Sequence, residues 1–157
     1  MEIELLQNLK DNPNLSLFEN KGISLQEITL LESVYNNGNP FPTALREMLF
    51  LAGEFCAVFD FGLEETQQEM QEAARSPMPK YNREILRPFY VVDVYNAGSQ
   101  FLFVYLDENQ FDPIIYEAVL HERHNDSTPW IHALLDRTLS QFIDSRLERL
   151  KRGENPF

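Results

Sequence analysis

The chain has 157 residues, 43% of them hydrophobic and 12% aromatic, which is enough apolar material for a core of its own and excludes a disordered linker or tail. Thirteen basic against 25 acidic side chains leave a net charge of −12, and so negative a body disfavours any nucleic-acid partner, since affinity for a phosphate backbone rests on Lys and Arg. No apolar run approaches the roughly 20 residues that cross a bilayer, and the acidic opening Met1-Glu2-Ile3-Glu4 is the reverse of a secretory leader, so a cytoplasmic protein without membrane contact is expected.

Residues 2–10 predict a short helix with Ile3, Leu6 and Leu9 inward, ended by Asp11-Asn12-Pro13-Asn14. Ser24 and Glu27 have the spacing of a reciprocal capping box, and Leu25, Ile28, Leu31 and Tyr35 then form an apolar stripe that Asn36-Asn37-Gly38 stops. Pro42 suits the first position of a second helix, where its missing N–H costs nothing; Leu45, Met48, Leu49 and Ala52 give that helix a buried face and Gly53 ends it. Residues 55–61 are apolar and of strand length. Residues 64–75 hold good helix formers but few large apolar side chains, and predict an exposed helix or mobile excursion that touches the core only through Met70 and Ala74, with Gln67, Gln68, Gln71 and Glu72 facing water. Ser76-Pro77-Met78-Pro79 stops it.

Residues 89–95 and 101–106 are β-rich runs joined by Asn96-Ala97-Gly98-Ser99-Gln100, the composition of a hairpin, and a third run over 113–120 adds antiparallel to the second. A long helix is predicted from Ser127-Thr128-Pro129 to Gly153, with Ile131, Leu134, Leu135, Leu139, Phe142, Ile143, Leu147 and Leu150 on one face and a basic last turn. The sum is a single α+β domain over 1–157: a central, mostly antiparallel sheet of four or more strands, flanked by N-terminal helices and a long C-terminal helix. Residues 1–21 are an N-terminal extension or short helix, and 62–87 a helical or mobile excursion.

One pattern carries a family likeness. An amphipathic helix with an internal acid, Ile28-Thr29-Leu30-Leu31-Glu32, is followed by a short turn and by FPTALREMLFLAG over 41–53; this resembles the SUKH superfamily, with weaker similarity through 89–119 and the final helix. Phe41 stands where that family usually has leucine, and Ala52-Gly53-Glu54 replaces the more usual Asn-Gly-Gly. The resemblance implies a small α+β domain that works as an intracellular immunity protein, binding and neutralising a bacterial toxin by occluding its active site. The related fungal regulators imply an alternative, a non-catalytic regulatory or scaffolding module for signalling or cell-wall synthesis.

Charge distribution fits a protein partner, a basic toxin domain above all. Residues 54–74 contain six acids and no Lys or Arg, a field that attracts a cationic surface and speeds association with it. Within this stretch Glu64, Glu65, Glu69 and Glu72 are the candidate partner-binding residues, because packing does not account for them; an acidic helix that merely solvates the chain is the plainer alternative. Other chemistry is weakly coded. His121 and His124, with Glu117 and Asp126, leave a metal-ligand set short of a third histidine or a cysteine, so these residues are expected in a loop and no metal or cofactor is assigned. Cys56 is the single cysteine; its apolar neighbours mark a buried hydrophobe rather than a nucleophile. With no nucleophile elbow and no phosphate loop among six glycines, catalytic residues are not assigned and an enzyme is not expected. Tyr90, Tyr105 and Tyr116 are expected to pack in the core.

Overall fold

The computed structural model describes residues 1–121 and 129–157. Helix α1 (Gln7–Asp11) buries Leu9, with Leu6 beside it in the core. The segment leading into it is held by Glu47, whose buried carboxylate accepts the backbone N–H groups of Glu4, Leu5 and Leu6 at 2.6, 3.0 and 2.8 Å. Helix α2 (Leu25–Tyr35) starts on the Ser24/Glu27 box and buries Ile28 and Leu31. In α3 (Thr43–Ala52) the buried face is Leu45, Met48, Leu49 and Ala52; Pro42 sits one place earlier than predicted, at the cap, and the Thr43 and Ala44 N–H groups donate to the carbonyls of Gln110 and Phe111. Glu32, the internal acid of α2, closes the turn between the two helices. Its Oε1 accepts the Phe41 N–H at 2.8 Å and lies 3.0 Å from Arg46 Nε.

Four strands, β1 (Phe89–Tyr95), β2 (Gln100–Tyr105), β3 (Ile114–Val119) and β4 (Ile131–Thr138), make an antiparallel meander in the order β1-β2-β3-β4. Alternation along the strands divides two cores. Tyr90, Val92, Leu102, Val104 and Ile115 pack with the buried residues of α1, α2 and α3 and with Leu139, Ile143 and Leu147 of the C-terminal helix. On the other side Phe89, Val91, Phe101, Phe103 and Tyr105 pack with Met70, Ala74 and Met78. Tyr90 is fully buried and Tyr105 nearly so, whereas Tyr116 is half-buried and stacks on Phe103 at 5.7 Å.

Two predicted elements take another form. Residues 55–61 are not a strand: only Phe55 pairs, in an isolated bridge with Lys21, and the following backbone is tied by side chains and by the Val94 N–H, which donates to the Asp60 carbonyl at 2.9 Å. Asn20 Oδ1 accepts the Ala57 N–H at 2.7 Å and Asp93 Oδ1 the Asp60 N–H at 2.7 Å, while Phe59 stacks on Phe142 at 6.1 Å. The run is apolar because it is a buried coil. Secondly, the final helix α5 (Leu139–Lys151) begins well after the predicted start; Ser127 and Thr128 lie outside the described residues, and 131–138 form β4. Ile131, Leu134 and Leu135 have helical spacing, yet Ile131, His132 and Ala133 pair with Ala118, Glu117 and Tyr116. Beyond Ala133 the strand carries surplus residues before Thr138 meets Ile114, and Leu135 and Asp136 there take φ values of 54° and 51°. Asp112 then caps α5, its carboxylate accepting the Ser140 N–H at 3.1 Å and the Ser140 hydroxyl at 2.6 Å.

Candidate partner-binding surface

Helix α4 (Gln67–Arg75) opens on a second capping box. Thr66 Oγ1 accepts the Glu69 N–H at 3.2 Å, and Glu69 Oε2 accepts the N–H groups of Thr66 and Glu65, both at 3.1 Å. Of the helix or mobile excursion expected over this stretch the structure shows the helix, and it is pinned through two glutamines that sequence reasoning leaves in water. The carboxamide of Gln71, fully buried, binds both polar groups of Val91, accepting its N–H at 2.9 Å and donating to its carbonyl at 2.7 Å. It thus stands in for one residue of a neighbouring strand along the outer edge of β1. Gln67 donates to the Gly53 carbonyl at 2.7 Å and accepts the Tyr90 hydroxyl at 3.0 Å. Arg75 extends the seal, donating to the Phe89 carbonyl at 2.8 Å with its guanidinium 4.2 Å from the Phe89 ring and 4.6 Å from that of Tyr35.

With these residues turned inward, α4 presents Gln68, Glu69 and Glu72 to solvent, and the preceding loop adds Glu64 and Glu65. All four predicted partner-binding acids are therefore exposed on one flank, and among the described residues none is in an ion pair. They are not equivalent: Glu69 is committed to the helix cap, and Glu72 accepts from Gln68 at 2.9 Å. Sequence reasoning missed the apolar companion of these acids, Leu63, which is 99% exposed at the tip of the loop beside Gly62. A leucine between a glycine and two glutamates, Gly62-Leu63-Glu64-Glu65, is the only signal that marks it. The loop separates two concavities. One, of about 590 Å³, lies between α4, the loop and the β1–β2 turn; the other, of about 290 Å³, lies against α2 and is edged by Leu30, Glu27 and Glu54.

Elsewhere the buried ionisable groups are engaged in the fold. Asp93 is brought to the helix-covered side of the sheet by a bulge between Val91 and Asp93, and its Oδ2 accepts Arg146 at 2.5 Å and the Tyr95 hydroxyl. Arg146 also donates to the Val58 carbonyl at 2.6 Å and to the Tyr95 hydroxyl. Burial pushes the Asp93 carboxyl up to about 6 against the pull of Arg146, and pushes the Cys56 thiol up to about 12, so Cys56 lacks thiolate character at neutral pH. Glu117, weighed as a metal ligand, is paired with His132 at 2.7 Å and accepts Gln100 at 2.6 Å; His121 is exposed, and His124 and Asp126 lie outside the described residues. Among the described residues no group of three or more His, Cys, Asp or Glu side chains converges, and no helix is long and apolar enough to cross a membrane.

The chain is thus a four-stranded antiparallel α+β domain whose acidic flank is built on α4. No protein-family model matches it, nor does any curated protein or solved structure.

Proposed function

We propose that the protein acts by binding, as an inhibitor that lays the flank of Glu64, Glu65, Glu69 and Glu72 over a basic toxin domain and occludes its active site. The observation that carries this reading is a helix anchored by buried hydrogen bonds whose outward acids are in no ion pair among the described residues, beside a leucine left wholly in water. Leu63 places an apolar side chain next to this charged rim, a pairing that suits an interface centre and its border. The likeness of residues 28–53 to SUKH immunity proteins points the same way. Inhibition of this kind needs shape and charge, and no reactive side chain.

Co-expression with the products of adjacent genes tests it. A toxic product whose host cells form colonies only when this protein is present supports the reading; an absence of any rescued or co-purifying product rejects it. With such a partner in hand, the triple variant Glu64→Gln, Glu65→Gln, Glu72→Gln, which spares the cap made by Glu69, slows association about tenfold at low salt and flattens its salt dependence in stopped-flow mixing. Unchanged kinetics exclude this flank as the docking surface.

A further inference from the structure

We infer that the groove of about 590 Å³ between α4 and the β1–β2 turn receives one large apolar side chain carried on a lysine- or arginine-rich segment of the partner. The inference rests on the binding role proposed above and specifies the chemistry that the partner presents. The groove is floored by apolar groups, Phe61, Met70, Ala73, Ala74 and Val94. Its polar side chains are in part committed: Asp60 Oδ1 accepts the Gly62 N–H at 2.8 Å, Asn96 donates to Gln100 at 2.8 Å, and the Tyr95 hydroxyl is held between Asp93 and Arg146. A polar small molecule needs several convergent donors and acceptors to fix its orientation, whereas the acids Asp60 and Glu64 offer it carboxylate oxygens alone. An apolar side chain needs none.

Charge decides what carries that side chain. Among the described residues Asp60 and Glu64 line the groove and no Lys or Arg does, while Arg75, the cation of α4, is turned onto Phe89 and Tyr35. A segment entering here passes acids on its way in, so cations flanking its apolar residue are complementary. Leu63 stands on the lip, where it covers the inserted group and loses its own contact with water. The far wall is preformed: Asn96, Ala97 and Gly98 all have positive φ, at 50°, 54° and 82°, a run that the Ser99 N–H and hydroxyl stabilise by donating to the Asn96 carbonyl at 3.2 and 2.9 Å. A preformed wall lowers the ordering entropy of the bound state.

Short fluorescent lysine-rich peptides with a single central Leu, Ala or Asp, titrated against the full chain by anisotropy, test the inference. The Leu peptide is expected to bind about tenfold tighter than the Ala peptide, the value of burying one such side chain. Its methyl shift changes should fall on Met70, Ala73, Ala74 and Val94. Leu63→Ala, at a wholly exposed position that the fold does not need, reduces the preference, and Ala73→Phe, which fills the groove from within, removes it. Equal affinities for the three peptides overturn the inference, as do shifts confined to another surface. A dimer of this chain that Ala73→Phe disperses in sedimentation overturns it in favour of a second copy as occupant. Leu preference without cell rescue by any co-expressed toxin keeps the groove and rejects the toxin; rescue that Ala73→Phe leaves intact does the reverse.

Discussion

Asp93 reaches Arg146 because a bulge turns it toward the side of the sheet that α5 covers, where regular alternation would have sent it to the other face. Its burial has a measurable signature. A carboxyl that ionises near 3.8 when exposed is held to about 6 in the fold, so between these values the native state keeps a proton that the unfolded chain has released. The contribution to stability is full below about pH 4 and lost once the pH passes about 6, a loss on the order of 3 kcal/mol. Urea unfolding of wild type and Asp93→Asn across this range should therefore show the stability of wild type falling relative to that of the variant as pH rises. A flat difference would show that Asp93 titrates alike in both states. Neither the bulge nor the pairing is visible in the sequence, because Asp93 sits 53 residues from Arg146 and nothing local at Phe89-Tyr90-Val91-Val92 announces a surplus residue. Glu32 is different: as an acid inside an apolar stripe it is conspicuous, and it proves to be the strut of the turn into α3.

Elements whose signals are local are legible, and those decided by their neighbours are not. The pair α2 and α3 follows from a capping box, a turn and a proline within 30 residues, and the three strands after residue 88 follow from β-branched and aromatic runs. Residues 55–61 have the same apolar composition as a strand, but Gln71 takes the polar groups of Val91, and the run meets β1 further along, where the Asp60 carbonyl accepts the Val94 N–H. Residues 131–138 have a helical repeat, and pairing with β3 overrides it; the one local hint is Thr138 with Gln141, the spacing of a capping box, which marks where α5 starts. Thr66 and Glu69 give the same hint for α4. The acids of the candidate surface are legible as a run, whereas its groove is formed by residues 60–64, 70–74 and 94–98 and exists only once they are assembled. Gln71→Leu tests how the sheet edge is closed. It leaves the Val91 N–H and carbonyl without partners at a cost of about 3 kcal/mol in urea unfolding, and hydrogen exchange at the Val91 amide should accelerate more than at neighbouring β2 amides. Unaltered exchange would mean that the glutamine contributes packing alone.

At the scale of the whole molecule the net charge of −12 is both an attractant for cations and a load on the compact state. Thermal unfolding at pH 7 should shift to higher temperature as sodium chloride is added, with most of the gain reached by about 0.15 M, where the screening length is near 8 Å. A melting temperature indifferent to salt at low ionic strength would mean that the acids are spaced widely enough not to oppose folding. The meander has a further effect on how the chain comes together. Each strand pairs with its immediate predecessor, so the sheet can zip up in the direction of synthesis, yet Asp93 waits for an arginine in the last helix and Asn8 for Asp144 of that same helix. The pairings within the sheet therefore involve segments made before α5, and α5 then ties β1 to α1 through contacts of long sequence separation.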